Sequence, residues 1–217
     1  MSVFLTILLH ELLLFRRNFG KIIANFLTSL ISIMIFFLIA QNQAIESSKA
    51  FYFLAVIWFS LLFCLIFSAA EFLKKDFDDG TIEQILTSLE NFEVFVLAKM
   101  LANWLGNCLP LLSVILPLGL GLGFDLKTAL DFLMLIFVAS LCINFICTFC
   151  GSLSIVGNAA PMIATIALPL IIPIMLIAFG GMIWQSQASL KILGGLAVFI
   201  AGFSVFATAK IVRIAAE

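Results

Sequence analysis

Cys147 and Cys150 stand in C-x-x-C spacing, the spacing of thiol redox couples and of half a zinc site. A haem attachment site would need a histidine directly after the second cysteine; here Gly151 follows. All five cysteines, Cys64, Cys108, Cys142, Cys147 and Cys150, fall in apolar stretches. Buried free thiols behave as small hydrophobes, and that is the expectation for all five. The single histidine, His10, has no second ligand near it in sequence, so a polar surface role is expected. Gly119-x-Gly121-x-Gly123 closes an apolar run and lacks the strand–turn–helix setting of a nucleotide loop. Close helix packing or a loosened helix end explains it better. No G-x-x-x-x-G-K-[ST] occurs, and Gly20-Lys21 is followed by Ile22, so ATP hydrolysis by that device is not expected.

Most of the remaining chemistry lies in one segment, Glu71 to Lys99. Seven carboxylates (Glu71, Asp76, Asp78, Asp79, Glu83, Glu90, Glu93) accompany three lysines (Lys74, Lys75, Lys99). Such a balance disfavours anionic lipid as the segment's main partner. Asp76-Phe77-Asp78-Asp79-Gly80 is expected to break the preceding helix, with Gly80 supplying backbone freedom. Thr81 then occupies an N-cap position with Gln84 three residues on, a capping-box pattern. Ile82, Ile85, Leu86 and Leu89 follow as one apolar helical stripe, with Glu83, Gln84, Thr87 and Ser88 opposite. A short amphipathic helix results. The pattern leaves two readings open: a surface helix packed under a bundle, or a coupling helix that transmits force from a cytoplasmic motor.

The elements that must hold this segment are membrane helices. The chain of 217 residues is 64% hydrophobic and 11% charged, against about 45–50% and about 25% in soluble domains. Its mean hydropathy is +1.27. Long continuous apolar runs argue for spanning helices, since the backbone must satisfy its own hydrogen bonds in lipid. Six are expected: Ile22 to Ala40, Ala50 to Ala70, Met100 to Phe124, Phe132 to Val156, Pro161 to Ile183 and Ile192 to Ala209. The fourth and fifth are separated only by Gly157, Asn158 and Pro161, and Pro161 fits a first helical turn. Pro110 and Pro117 in the third span, and Pro169 and Pro173 in the fifth, are candidate kinks. No ionised side chain is expected inside a span, which disfavours ion-coupled carriers and intramembrane proteases. Asn103, Asn107 and Asn144 read as hydrogen-bonding groups between helices. No basic patch exists to hold nucleic acid.

Lysine and arginine counts orient the chain. Arg16, Arg17, Lys21, Lys74, Lys75, Lys99, Lys210 and Arg213 gather on one side, and Lys49, Lys127 and Lys191 on the other. Both termini and the 71–99 segment are therefore expected in the cytoplasm. Positive charge follows the first apolar run, the reverse of a signal peptide, so the segment is expected to be retained. Residues 1–21 read as a cytoplasmic interfacial helix, with Thr6, His10 and Arg17 on one face; the alternative is that they extend span one inward.

The run Glu71-Phe72-Leu73-Lys74-Lys75-Asp76-Phe77-Asp78-Asp79-Gly80-Thr81-Ile82-Glu83-Gln84 resembles the cytoplasmic loop of the haem exporter B family, the CcmB-type permeases of cytochrome c maturation. Leu97-Ala98-Lys99-x4-Trp104, Leu109-Pro110-Leu111, Leu168-Pro169-Leu170-Ile171-Ile172-Pro173 and Phe206-Ala207-Thr208-Ala209 continue the likeness over essentially the whole chain. Where the family usually has a proline-rich stretch after the loop helix, this chain has Leu89-Glu90-Asn91.

The resemblance implies one all-α membrane domain over residues 1–217. It implies a six-span permease of the ABC-2 type, with an N-terminal interfacial helix and a coupling helix between spans two and three. It implies ATPase coupling through Lys75, Asp76, Asp79, Gly80, Glu83 and Gln84, as contact or hinge residues. The implied partners are a separate ABC ATPase subunit, a haem-handling membrane subunit, a small accessory membrane protein and a second permease copy. Haem is the implied substrate, delivered to a periplasmic haem chaperone, with no cofactor bound firmly. The implied site is a bacterial inner membrane, the mitochondrial one being the alternative. Two other readings remain: an ABC-2 permease for a lipid or drug, and a membrane scaffold without transport.

Overall fold

A computed structural model describes residues 3–17, 20, 23, 27, 30, 31, 34, 49–70, 72–88, 91–121, 123–155, 159–183 and 187–216. These residues form helices α1 (Val3–Arg17), α2 (Lys49–Ala70), α3 (Lys74–Asp78), α4 (Thr81–Ser88), α5 (Phe92–Gly121) and α6 (Leu126–Ser152). A 3-10 turn at Leu153–Ile155 precedes α7 (Ala159–Ile183) and α8 (Gln187–Ala216). No strand occurs among the described residues. Among the described residues, five helices, α2 and α5 to α8, are long and apolar enough to cross a membrane. They correspond to expected spans two to six. Expected span one, Ile22 to Ala40, lies largely outside the described residues.

Helix α6 is the centre of the bundle and packs on α2, α5, α7 and α8. From Cys142 to Ser152 nearly every side chain is buried, so the helix is covered all round instead of on one stripe. Gly151 permits the closest approach: a Cβ there would sit 2.1 Å from the Ala69 carbonyl oxygen of α2. All five cysteines are buried and free, and helix runs through Pro110, Pro117, Pro169 and Pro173. The C-terminal end of α5 opens at Gly123, whose φ is +89°, in the glycine-rich run read as either close helix packing or a loosened helix end.

Two expectations are corrected at the boundaries. Helix α5 begins at Phe92, well before the apolar run at Met100, so Glu93 and Lys99 belong to a spanning helix. The cause is a second core, in which Phe92, Phe95, Val96 and Met100 pack with Phe72, Leu73 and Ile82. The helix of expected span two already ends at Ala70, and Asp76 to Asp78 belong to a separate helix, α3, which stops at Asp79 and Gly80.

Candidate functional site: the α3–α4 face and its anchor

The segment between α2 and α5 is built from the second core outward. Ile82 is fully buried in that core, while Ile85 and Leu86 pack at its edge. Glu83, Gln84, Thr87 and Ser88 are exposed on the opposite face of α4. The amphipathic pattern is therefore realised; Leu89 and Glu90 lie outside the described residues. The Thr87 hydroxyl donates to the Glu83 and Gln84 carbonyls at 3.1 and 2.9 Å, closing the last turn of the helix on itself.

The start of α4 differs from the capping-box expectation. Thr81 is the first helical residue, and Gly80 precedes it with φ +71°. The Asp79 N–H donates to the Lys75 carbonyl at 2.9 Å and the Gly80 N–H to the Phe77 carbonyl at 3.1 Å. Left-handed glycine closure of α3 thus sets the junction. Lys75, Asp79, Glu83 and Gln84 face outward around this junction, and Gly80 forms its bend.

Asp76 points the other way. Its carboxylate pairs with the Lys99 ammonium of α5, which also donates to both Glu11 oxygens of α1 at 3.3 and 3.4 Å. Lys99 and Glu11 are each only 8% exposed. The Lys99 Nζ lies 5.7 Å from the Phe95 ring centroid, within cation–π range. One cation and two carboxylates from three elements thus meet at one end of the bundle. The same end holds the exposed pair between Arg213 of α8 and Glu93 of α5, at 2.9 Å. His10, the neighbour of Glu11, is exposed.

Glu11 is the residue that sequence reading passes over. Its helix carries an outward leucine row, Leu5, Leu9 and Leu13, and its polar partner lies 88 residues away in the chain. The one available signal is Lys99 itself, a lone cation between Ala98 and Met100.

Deeper in the bundle, Asn103 donates to Asn144 at 3.0 Å and Ser68 at 3.3 Å. Asn107 donates to the Asn103 carbonyl and side-chain oxygens, and Asn144 to the Met100 carbonyl at 3.0 Å. Trp104 donates to Ser140 at 3.1 Å. Asn103 and Asn144 serve as links between α2, α5 and α6, while the Asn107 amide bonds back to Asn103 within α5. Among the described residues, no group of three or more His, Cys, Asp or Glu side chains is placed to hold a metal ion.

The sequence profile of the family described as "CcmB protein" matches residues 2–215, almost the whole chain. The chain belongs to the CcmB family. Three relatives, each named "Heme exporter protein B", agree. The Haemophilus influenzae protein is 28% identical, with 99% of both chains covered. The Pseudomonas aeruginosa protein is 30% identical over 63% of this chain and 60% of its own length. The Bradyrhizobium diazoefficiens protein is 25% identical over 74% and 69%. CcmB membership and five long apolar helices make this a multi-pass membrane protein of a haem-transport family.

Proposed function

We propose that this chain is the permease subunit of an ABC-type complex for cytochrome c biogenesis, supporting haem export or delivery to a periplasmic haem chaperone. The observation that carries the reading is the family match over residues 2–215, which takes in the whole α3–α4 face. Its relatives are named as haem exporters, and haem is accordingly the cargo. The sequence holds no ATP-binding loop of the P-loop type, so a separate ATPase subunit supplies hydrolysis. That subunit docks on the exposed face of Lys75, Asp79, Glu83 and Gln84, with Gly80 as the bend and Asp76 as the inward hinge contact. A haem-handling membrane subunit, a small accessory protein and a second permease copy complete the complex. The chain lies in the bacterial inner membrane, with the ion-paired end of the bundle and both termini in the cytoplasm.

Deleting the gene and staining membranes for covalent haem tests the reading. Loss of c-type cytochromes, restored by wild type but not by Glu83→Lys, is the expected result. The variant should insert normally yet no longer co-purify the ATPase. Intact c-type cytochromes in the deletion would remove the haem assignment and favour an ABC-2 permease with other cargo.

A further inference from the structure

We propose that Lys99 is a positioning residue that ties the coupling segment to α1, so that displacement of α3 and α4 moves α1 and α5 together. The inference rests on the docking reading above; it specifies the hinge contact of Asp76 and assigns Glu11 a role that reading does not contain. Three observations support it. First, Lys99 is almost wholly buried and faces one carboxylate from α1 and one from α3. A buried charge persists only where it is paired and hydrogen-bonded. Second, the groups come from three separate elements, and α1 otherwise packs mainly on α5. The Asp76–Lys99–Glu11 contact is therefore a polar route from the segment to α1. Third, Asp76 sits three residues before Asp79 and four before the Gly80 bend. A push on α4 acts across that bend on a helix whose inner end is held by charge.

Two carboxylates on one ammonium also make the tie reversible. If the Asp76 contact opens, Lys99 and Glu11 remain as a neutral buried pair, and the charge released is that of Asp76, whose side chain is already 24% exposed to solvent. A tie between two groups alone would leave both charges unpaired on opening. The arrangement suits a contact that is made and broken during turnover.

The test uses the full complex with its ATPase co-expressed, scoring chain level, ATPase co-purification, ATP hydrolysis and covalent haem. Asp76→Asn keeps the Lys99–Glu11 pair and should fold; Lys99→Met removes the hub. Asp76→Asn should keep chain level and ATPase co-purification within about twofold of wild type, as the exposed α4 face is untouched; Lys99→Met, which is less stable, is scored per amount of chain recovered. Basal ATP hydrolysis should persist while c-type cytochromes fall at least fivefold. Lys99→Arg should restore at least half of the cytochrome signal. Wild-type cytochrome levels in Asp76→Asn would overturn the proposal. So would loss of the ATPase together with the cytochromes, which would make Lys99 part of the docking surface. Failure of the underlying reading shows separately, in the wild-type chain, as no ATPase co-purified.

Discussion

Gly151 of α6 rests against the backbone of Ala69 in α2, where a Cβ would meet the carbonyl oxygen at 2.1 Å and the carbonyl carbon at 2.9 Å. Membrane helices lack a hydrophobic drive between themselves and gain from close backbone approach at small residues. Backbone atoms cannot rotate away as a side chain can, so α2 must move as a body. Gly151→Ala should therefore destabilise the protein by about 1–3 kcal/mol, the usual cost of overpacking. Gly202 offers the control, since nothing lies within 4 Å of a Cβ built there. Thermal unfolding in detergent, followed by the reaction of newly exposed thiols with a maleimide dye, should show a lowered midpoint for Gly151→Ala alone. Equal midpoints for the two variants would refute the close contact.

The same thiols carry a second prediction. Cys64, Cys108, Cys142, Cys147 and Cys150 are buried and unpaired, and a thiol must be exposed to react. Native membranes should give almost no maleimide labelling, and SDS-unfolded protein full labelling. Changing Cys147 and Cys150 together to alanine should leave c-type cytochromes unchanged. Rapid native labelling at either position, or cytochrome loss in the double variant, would restore a redox role for that spacing.

Asn103 and Asn144 are linked by a 3.0 Å hydrogen bond, and Asn144 reaches on to the Met100 carbonyl. Hydrogen bonds between membrane helices average about 0.6 kcal/mol, reaching about 1.7. A double-mutant cycle of Asn103→Ala and Asn144→Ala should give a coupling of about 0.5–1.5 kcal/mol. A coupling near zero would mean that the two amides act independently.

The contrast between these asparagines and Glu11 shows what a sequence can disclose. Asn103, Asn107 and Asn144 stand out because amides in apolar runs need partners, and α5 and α6 are the neighbours that supply them. The α4 face is legible for a similar reason: Ile82, Ile85 and Leu86 recur at helical spacing, with Glu83, Gln84, Thr87 and Ser88 on the opposite face. Glu11 has no such periodic signature, because its meaning depends on Lys99, and only tertiary packing brings them together. The early start of α5 is hidden for the same cause. Phe92 and Phe95 are buried against α3 and α4, a burial that a hydropathy average cannot separate from membrane insertion. The capping-box expectation at Thr81 yields to Gly80, whose left-handed conformation closes α3 directly into α4.

The two ion-paired groups at one end of the bundle should carry very different weight. Arg213 and Glu93 are 2.9 Å apart, but their side chains are 49% and 28% exposed. An exposed pair contributes about 0–1 kcal/mol and weakens with salt. Lys99 and Glu11 have side chains only 9% and 10% exposed, and removing one partner of a buried pair costs about 3–5 kcal/mol. Lys99→Met leaves Glu11 and Asp76 facing each other without a cation, so its loss of stability should be at the upper end. Glu11→Gln leaves Lys99 with Asp76 and should cost less. The expected order of unfolding midpoints is wild type, with Arg213→Ala within a degree or two, then Glu11→Gln, then Lys99→Met. Raising salt should shift the Arg213 difference and leave the Lys99 difference almost unchanged, because a charge with little solvent contact is screened little. If Arg213→Ala proves the more damaging change, the anchor of this end lies between α5 and α8, and the burial of Lys99 against α1 is of little consequence for stability.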